Sequence, residues 1–186
     1  CYVTIPFRMK LLTIKFISAI IYLISTNASY AIEQPNIKNL LVHDKPKKVE
    51  NVTFKNIKNK IINLSDYNYS LVIINFWATW CKPCLDEMPS LNKLQQSSKF
   101  KSLKVIPINV GQEPAEKAVN FFDKLEITNL EIFFDEGMNL PNKFSLRGLP
   151  TSILLNRKGE EFARVIGSIN FVDKNFIEWL QSYEED

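Results

Sequence analysis

The stretch that decides the fold runs from Val72 to Cys84 and reads VIINFWATWCKPC. Its first part is apolar and rich in β-branched residues apart from Asn75, which is typical of a strand buried on both faces of a sheet. Pro83 fits the first turn of a helix, where its missing N–H leaves no hydrogen bond unmade. The stretch therefore predicts a buried strand followed directly by a helix, with two cysteines at the junction. We expect this helix to continue towards Phe100.

The two cysteines differ in their predicted positions on that helix. Cys81 lies at its N-terminus, where unsatisfied N–H groups and the macrodipole stabilise negative charge. The pKa of a thiol in such a place falls from about 8.5 to roughly 7 or below. We therefore expect Cys81 to be the exposed attacking thiolate. Cys84 lies one turn deeper and is expected to be the resolving thiol, which breaks the mixed disulfide formed with a substrate.

Two other interpretations of the cysteine pair are less favourable. A structural disulfide that closes so short a loop removes little entropy from the unfolded chain, so it would stabilise the fold poorly. A zinc site needs about four ligands, and the sequence has no second C-x-x-C pair. Its only histidine, His43, is distant in sequence and is expected on the surface. We predict no metal site.

The sequence around the cysteines carries a family resemblance. Residues 75–84 read NFWATWCKPC, and residues 86–89 read DEMP. Over about residues 45–183 the chain resembles the TlpA/ResA-like thioredoxin family. The resemblance implies an α/β thioredoxin fold: a mixed central sheet flanked by helices, with an N-terminal β-hairpin and a central α/β insertion. It also implies dithiol–disulfide exchange, with no cofactor beyond the Cys81–Cys84 disulfide.

A second stretch matches this family at its substrate groove. Leu149-Pro150 follows a glycine and opens a predicted strand. In thioredoxin folds a cis proline faces the C-x-x-C pair, and the backbone before it pairs with an extended substrate segment. The resemblance therefore implies that Leu149 and Pro150 bind substrate. Lys82, which adds positive charge beside the thiolate, and Pro83 complete this expected surface.

Two tryptophans are expected at the rim of the same surface. Trp77 and Trp80 flank the turn before the first cysteine, where a partner peptide would touch them. Trp77 fits a core position equally well.

Glu87 is the candidate acid–base residue. Cytoplasmic thioredoxins carry a buried aspartate at the position of Asn75, whose amide does not titrate. The ResA-like pattern places a glutamate near the site, three residues after Cys84, and proton transfer to the buried thiol needs such a group. The alternative is a surface glutamate paired with a lysine.

The first part of the chain looks like an export segment. Residues 1–8 precede Met9 and are interpreted as an upstream extension. Residues 9–31 combine Lys10 and Lys15 with a short apolar core, which predicts a signal peptide cleaved after Ala31 or an uncleaved anchor. Both interpretations place the protein in the periplasm. Polar residues 32–49 are interpreted as a linker, and residues 50–186 as the thioredoxin-like domain.

The rest of the chain predicts alternating strands and helices. Residues 52–54 and 60–64 alternate in polarity as a hairpin does. Pro107, inside an apolar run, predicts an edge strand because it lacks a ladder donor. A helix is expected from Pro114 to about Leu125, with a short strand, a helical turn, two strands and a final helix after it.

Charge and context limit the function. The chain has 23 basic and 20 acidic residues, and Arg8, Lys10 and Lys15 are the only charged ones before Glu33, so the remainder is neutral and nucleic-acid binding is not expected. We expect a monomeric extracytoplasmic reductant of a protein disulfide.

The resemblance names the candidate substrates as a copper chaperone, an oxidase subunit or apocytochrome c. A membrane thiol protein of the DsbD/CcdA type would be the electron donor. A copper-binding chaperone and a thiol peroxidase, in which Thr79 would take part, are the alternative functions.

Overall fold

A mixed sheet forms the centre of the part of the chain that the structure, a computed structural model, describes: residues 35–135 and 137–184. Its eight strands are β1 (Leu40–Lys48), β2 (Thr53–Asn56), β3 (Ile61–Asn63), β4 (Leu71–Trp77), β5 (Leu103–Asn109), β6 (Phe133–Phe134), β7 (Thr151–Leu155) and β8 (Glu160–Ile166). The helices are α1 (Lys82–Gln95), α2 (Ala115–Lys124), α3 (Asn139–Lys143) and α4 (Lys174–Gln181), with a short 3₁₀ turn at Leu64–Asp66.

The strand order across the sheet is β1-β8-β7-β4-β5-β6-β2-β3. The β4–β5 and β5–β6 pairs are parallel, and the other pairs are antiparallel. The predicted α/β class, mixed sheet and early hairpin are therefore confirmed. The expected upstream extension and signal peptide or anchor, residues 1–8 and 9–31, lie outside the described residues. Among the residues described, none of the helices is long and apolar enough to cross a bilayer.

Strand β4 is the central element because all seven of its residues are buried. Side chains on one face join α1 and α4 in an apolar cluster that also contains Cys81 and Cys84. Those on the other face join α3 and the β2 strand in a second cluster. Because both faces are covered, the end of β4 is fixed in place, and so is the turn that follows it.

Helix α1 is shorter than its sequence predicts. It ends at Gln95 rather than continuing towards Phe100. The Gln95 side chain turns to β5, where its amide donates to the Leu103 carbonyl at 3.3 Å and its Oε1 accepts from the Val105 N–H at 2.7 Å. Two serines follow at residues 97–98, and serine favours turns over helix interiors. These side-chain bonds and the serines stop the helix.

The predicted linker at residues 32–49 is wrong for its second half, because Leu40–Lys48 forms strand β1. Leu40 lies opposite Val165 and Val42 opposite Ala163 in an antiparallel ladder with β8, and both side chains pack against the larger cluster. An edge strand needs few apolar residues, and lysine and proline are typical of one. The polar composition that indicated a linker is therefore that of a sheet edge.

His43, on the same strand, is not the surface residue that was expected. Its side chain is only 9% exposed, and its Nε2 lies 2.7 Å from the Glu161 carboxylate. The pairing of β1 with β8 brings these two residues together, although 118 positions separate them in sequence.

The prediction that Pro107 marks an edge strand is also wrong, since β5 lies between β4 and β6. The Asp135 N–H donates to the Asn109 carbonyl at 3.1 Å, so Asn109 faces β6. Alternate residues of a strand face the same neighbour, so Pro107 faces β6 too. Strand β6 begins only opposite Ile108, and the missing N–H of Pro107 therefore leaves no bond of the ladder unmade.

Candidate active site

The turn between β4 and α1 holds the two cysteines, which form a disulfide. The Cys81 N–H donates to the Ala78 carbonyl at 3.2 Å, and Cys81 is the N-cap of α1. Its Sγ accepts the Cys84 N–H at 3.3 Å. The N-cap position and this N–H both favour negative charge on the sulfur, so the geometry supports a Cys81 thiolate in the reduced protein.

Cys81 is more covered than expected, whereas Cys84 is as deep as predicted. Cys81 is 4% exposed and Cys84 is fully buried. The predicted difference in depth is present, but Cys81 is not an exposed residue in this disulfide form. The adjoining Trp80 side chain is 68% exposed and is thus the first large apolar surface that a partner would meet.

Glu87 lies in the interior, so its interpretation as a surface glutamate is wrong. It is 2% exposed, and its Oε1 accepts a hydrogen bond from Asn75 Nδ2 at 2.8 Å. The same amide nitrogen also lies 2.9 Å from Ser152 Oγ on β7. Burial raises the pKa of Glu87 to about 8, although the N–H groups of Asn75 and Ile169 act in the opposite direction. Glu87 is therefore mostly protonated at neutral pH.

Glu87 and the resolving cysteine share one face of α1. Residues three apart on a helix are neighbours, so Glu87 follows Cys84 on the same buried stripe. The arrangement places a carboxyl group that can gain or lose a proton near neutral pH beside the deeper thiol.

The other residues predicted around the cysteines separate into buried and exposed ones. Trp77 is fully buried, and its ring centroid lies 4.7 Å from that of Phe121 and 5.4 Å from that of Phe122. It is a core residue and does not contribute to a substrate rim. Lys82 and Pro83 are exposed, and the Lys82 ammonium pairs with Asp86. The charge of Lys82 is therefore partly neutralised rather than free to act on the thiolate.

The segment before β7 reaches the same end of the sheet. The Leu149–Pro150 peptide bond is cis, and the Pro150 carbonyl accepts the Gly167 N–H at 2.9 Å. Since Thr151 lies opposite Phe76, Pro150 stands level with the end of β4. Leu149 packs against the apolar cluster that contains both cysteines. The structure thus brings this segment and the C-x-x-C turn together.

Glu113 is a site residue that the sequence did not indicate. Its Oε1 accepts the Thr79 N–H at 2.9 Å, and its Oε2 accepts the Thr79 hydroxyl. A Cβ at Gly111 would overlap the Glu113 carboxyl, so a larger residue there would displace this carboxyl from its present position. The one available signal was positional: Thr79 and Glu113 each follow a strand of the parallel β4–β5 pair, and the carboxyl ends of such strands meet at one edge.

Comparison with known proteins identifies the family. The sequence model of the AhpC/TSA family matches residues 46–160, which is more than half of the chain. The chain belongs to the AhpC/TSA family. Two similar relatives are thiol-disulfide oxidoreductases ResA. The protein from Bacillus cereus is 33% identical over 121 residues, which cover 65% of this chain and 69% of the relative. The one from Geobacillus kaustophilus is 34% identical over 110 residues, which cover 59% and 62%.

Solved structures give the same result for the fold. A crystal structure described as the thiol:disulfide interchange protein DsbE of Chlorobium tepidum superposes with a TM-score of 0.66 at 25% identity, covering 76% of this chain and 98% of that one. A DsbF homologue of Corynebacterium diphtheriae has a TM-score of 0.67 at 21% identity, covering 81% and 96%. The predicted thioredoxin fold and TlpA/ResA-like resemblance are therefore confirmed.

This chain is a thiol-disulfide oxidoreductase. Its chemistry is dithiol–disulfide exchange, for which the Cys81–Cys84 pair is placed at the start of α1. In the described part of the chain, no group of three or more His, Cys, Asp or Glu side chains is arranged to hold a metal ion. The Thr79 hydroxyl, which a peroxidase mechanism would need, is bonded to Glu113.

Proposed function

We propose that the protein reduces a cysteine pair in an extracytoplasmic partner that must be reduced before it receives copper or haem. The observation that carries this proposal is Glu87, a buried carboxyl whose pKa is raised to about 8 beside the resolving cysteine. A deep thiol that must repeatedly lose and regain a proton needs a partner that titrates near the working pH.

The proposed reaction starts from the reduced protein. The Cys81 thiolate attacks one sulfur of the substrate disulfide, that S–S bond breaks, and one substrate thiolate leaves and is protonated by water. Cys84 then gives its proton to ionised Glu87 and attacks Cys81. The mixed disulfide breaks, the second substrate sulfur leaves as a thiolate that takes its proton from water, and the Cys81–Cys84 disulfide is formed. Two electrons have passed to the substrate, its two protons have come from water, and the Cys84 proton stays on Glu87.

Regeneration runs through the same groups in reverse. We propose a membrane thiol protein of the DsbD/CcdA type as the donor. One donor thiolate attacks Cys81, Cys84 leaves as a thiolate, and protonated Glu87 supplies its proton. The second donor thiol then resolves the mixed disulfide, so the donor loses the two electrons that the pair gains. The disulfide is the cofactor that this cycle requires.

The substrate class follows from the resemblance and from the cis-proline segment. The preferred substrate is the cysteine pair of a copper chaperone or an oxidase subunit, because Thr151 follows Pro150 where CcmG-like proteins carry a glutamate. The haem-attachment cysteines of apocytochrome c are the other candidate. Both are protein disulfides outside the cytoplasm, and each would bind along Leu149 and Pro150 beside Trp80.

Trapping tests the order of attack. Cys84→Ser retains the attacking thiolate and lacks the resolving thiol, so it should accumulate mixed disulfides with its substrates in envelope extracts. Cys81→Ser should trap none, because Cys84 is buried behind it. Mass spectrometry of the trapped partners would identify the substrate class. Adducts that form through Cys84 in the Cys81→Ser variant would contradict the assigned order.

The proposed location has its own test. If residues 9–31 are a cleaved signal, protein purified from the envelope will begin at Ile32, and its intact mass will show this. A mass that still includes the apolar core at residues 16–24 would favour the anchor.

A further inference from the structure

A groove of about 730 Å³ lies against one face of β1 and β8, beside residues 143–147. Thr151 and Arg147 both line it, on either side of Pro150 in the sequence. The groove is therefore continuous in sequence with the segment that is proposed to bind the substrate disulfide. None of the steps proposed for the cysteines uses it. The side chains that matter to its chemistry are Leu41, Lys47, Lys143, Arg147, Glu161 and Arg164.

The floor of the groove is a fixed ionic cluster. Arg164 donates from Nε to Glu161 Oε1 at 2.6 Å and from Nη2 to Oε2 at 2.9 Å. It also donates from Nη1 to the Phe144 carbonyl at 3.2 Å, and His43 Nε2 lies 2.7 Å from the same carboxylate. Burial acts to raise the pKa of Glu161, but these hydrogen bonds outweigh it and the pKa is lowered. The Glu161 charge is thus balanced within the floor.

The rim carries positive charge that is only partly compensated, since Glu50 of the lining interacts electrostatically with Lys143. Lys47, Lys143 and Arg147 are exposed, and none of them forms an ion pair with another described residue. Glu50, the other acidic residue of the groove, is bonded to Lys48. The lining contains five lysines and arginines against two glutamates, although the chain from Glu33 onwards has no net charge. Positive charge is therefore concentrated here.

Apolar surface lies between these cations. The Leu41 side chain is 50% exposed and that of Ile166 is 39% exposed, and both line the groove. A concave surface with apolar centre and basic rim matches an extended peptide that alternates acidic and apolar residues.

We propose that this groove binds an acidic segment of the protein substrate that adjoins the cysteine pair being reduced. Carboxylates of that segment pair with Lys47, Lys143 and Arg147, and an apolar residue covers Leu41 and Ile166. The inference rests on the proposed function in one respect, that the substrate is a protein disulfide. It adds a reason why one protein disulfide is chosen over another.

Two synthetic peptides test the proposal. Each carries one intramolecular disulfide between two cysteines, followed by Glu-Asp-Leu-Glu-Asp in one and Gln-Asn-Leu-Gln-Asn in the other. The readout is the ratio of kcat/KM for the acidic peptide to kcat/KM for the neutral peptide. For the unchanged protein we expect a ratio of about ten at low salt, since each exposed ion pair contributes a factor of about two to five. The ratio should fall as salt screens the charges.

Charge reversal locates the binding surface. The double variant Lys47→Glu/Lys143→Glu should bring the ratio to one or below, mainly through KM for the acidic peptide. The control double variant Lys99→Glu/Lys117→Glu makes the same change in net charge at exposed residues outside the groove and should keep most of the preference. A ratio of one in the unchanged protein, or an equal loss in both variants, would overturn the proposal.

Two further outcomes separate this proposal from others. If the unchanged protein reduces neither peptide, the proposed reductase function fails, whatever the groove binds. Vesicles of equal phosphatidylglycerol and phosphatidylcholine test the competing possibility that the cations meet a membrane surface. Loss of vesicle binding in the groove variant, with an unchanged peptide ratio, would overturn the peptide assignment in favour of lipid.

Discussion

The Glu87 carboxyl is buried and its pKa is raised to about 8 from an ordinary value of 4.5. The folded protein therefore keeps a proton that the unfolded chain releases, so stability falls as pH rises between these two values. The slope approaches about 1.4 kcal/mol per pH unit in the middle of that range. We expect Glu87→Gln to remove this dependence, so that the variant gains stability relative to the unchanged protein from pH 5 to pH 8.

Urea denaturation of the disulfide form at several pH values measures this effect. Glu116→Gln, at an exposed position on α2, is the control and should reproduce the unchanged slope. Parallel slopes for the Glu87→Gln variant and the unchanged protein would mean that Glu87 ionises normally.

We predict that Glu113 positions the turn before Cys81 through its hydrogen bonds to Thr79. Glu113→Ala removes both hydrogen bonds to Thr79, at a cost of about 1 kcal/mol each. We expect faster amide hydrogen exchange at Thr79 and a several-fold lower kcat/KM for a disulfide peptide, because the turn before Cys81 loosens. Glu113→Gln keeps an acceptor for the Thr79 N–H. It should therefore restore most of the slow hydrogen exchange at Thr79 and most of the kcat/KM. Loss of activity with unchanged exchange at Thr79 would contradict a role in positioning.

For individual residues, the sequence predicts the site best where the residues that form it are close together in the chain. The cysteines and Pro83 lie on one turn and the start of the helix after it, where their spacing predicts them. The place of Glu87 near them was implied by the family resemblance. The bond between Thr79 and Glu113 spans 34 positions, and no local pattern predicts such a contact. The position of Trp77 beside the motif fits the rim and the core equally well, and only the contacts with Phe121 and Phe122 show that it is a core residue.

Strand β1 is the element whose assignment changed most between sequence and structure. In an edge strand few side chains point towards the core, so few apolar residues mark it in the sequence. In β1 its lysines therefore favoured the interpretation as a linker. Val42 turns towards the core and Lys45 is exposed. We expect Val42→Asp to lower the free energy of unfolding by about 2 kcal/mol, since it places a charge on a partly buried apolar site. Lys45→Asp should change it by less than about 0.5 kcal/mol.

Urea denaturation of the two variants is the measurement. Equal and small effects would mean that residues 40–48 behave as the linker first predicted. Pro107 is a second example, because β5 can contain this proline only since β6 begins opposite Ile108. The sequence predicts β5 but not β1, and the order of the strands in the sheet depends on contacts between distant segments.

For the whole protein, the redox potential of the Cys81–Cys84 pair determines the direction in which electrons flow. A strongly oxidising disulfide arises when the reduced form is specially stabilised. Here the helix N-terminus favours the Cys81 thiolate, but Lys82 is paired with Asp86 and Lys82-Pro83 stands where a DsbA-like site carries a histidine. We therefore expect a potential nearer that of thioredoxin, about −270 mV, than that of DsbA, about −120 mV.

Equilibration with dithiothreitol buffers of known ratio measures this potential. Asp86→Ala, which releases the Lys82 charge, should shift it towards the oxidising end, and Lys82→Ala should not. A value for the unchanged protein near that of DsbA would make it a disulfide donor rather than a reductant.

The exposed indole of Trp80 gives the protein an optical reporter of its own. The chain has three tryptophans: Trp77 is fully covered, Trp179 is 5% exposed, and Trp80, beside the disulfide, is 68% exposed. A collisional quencher dissolved in the buffer therefore reaches the fluorescence of Trp80 far more than that of the other two. Any protein that docks over the cysteines shields this one ring, so encounters can be followed in stopped flow without attaching a dye.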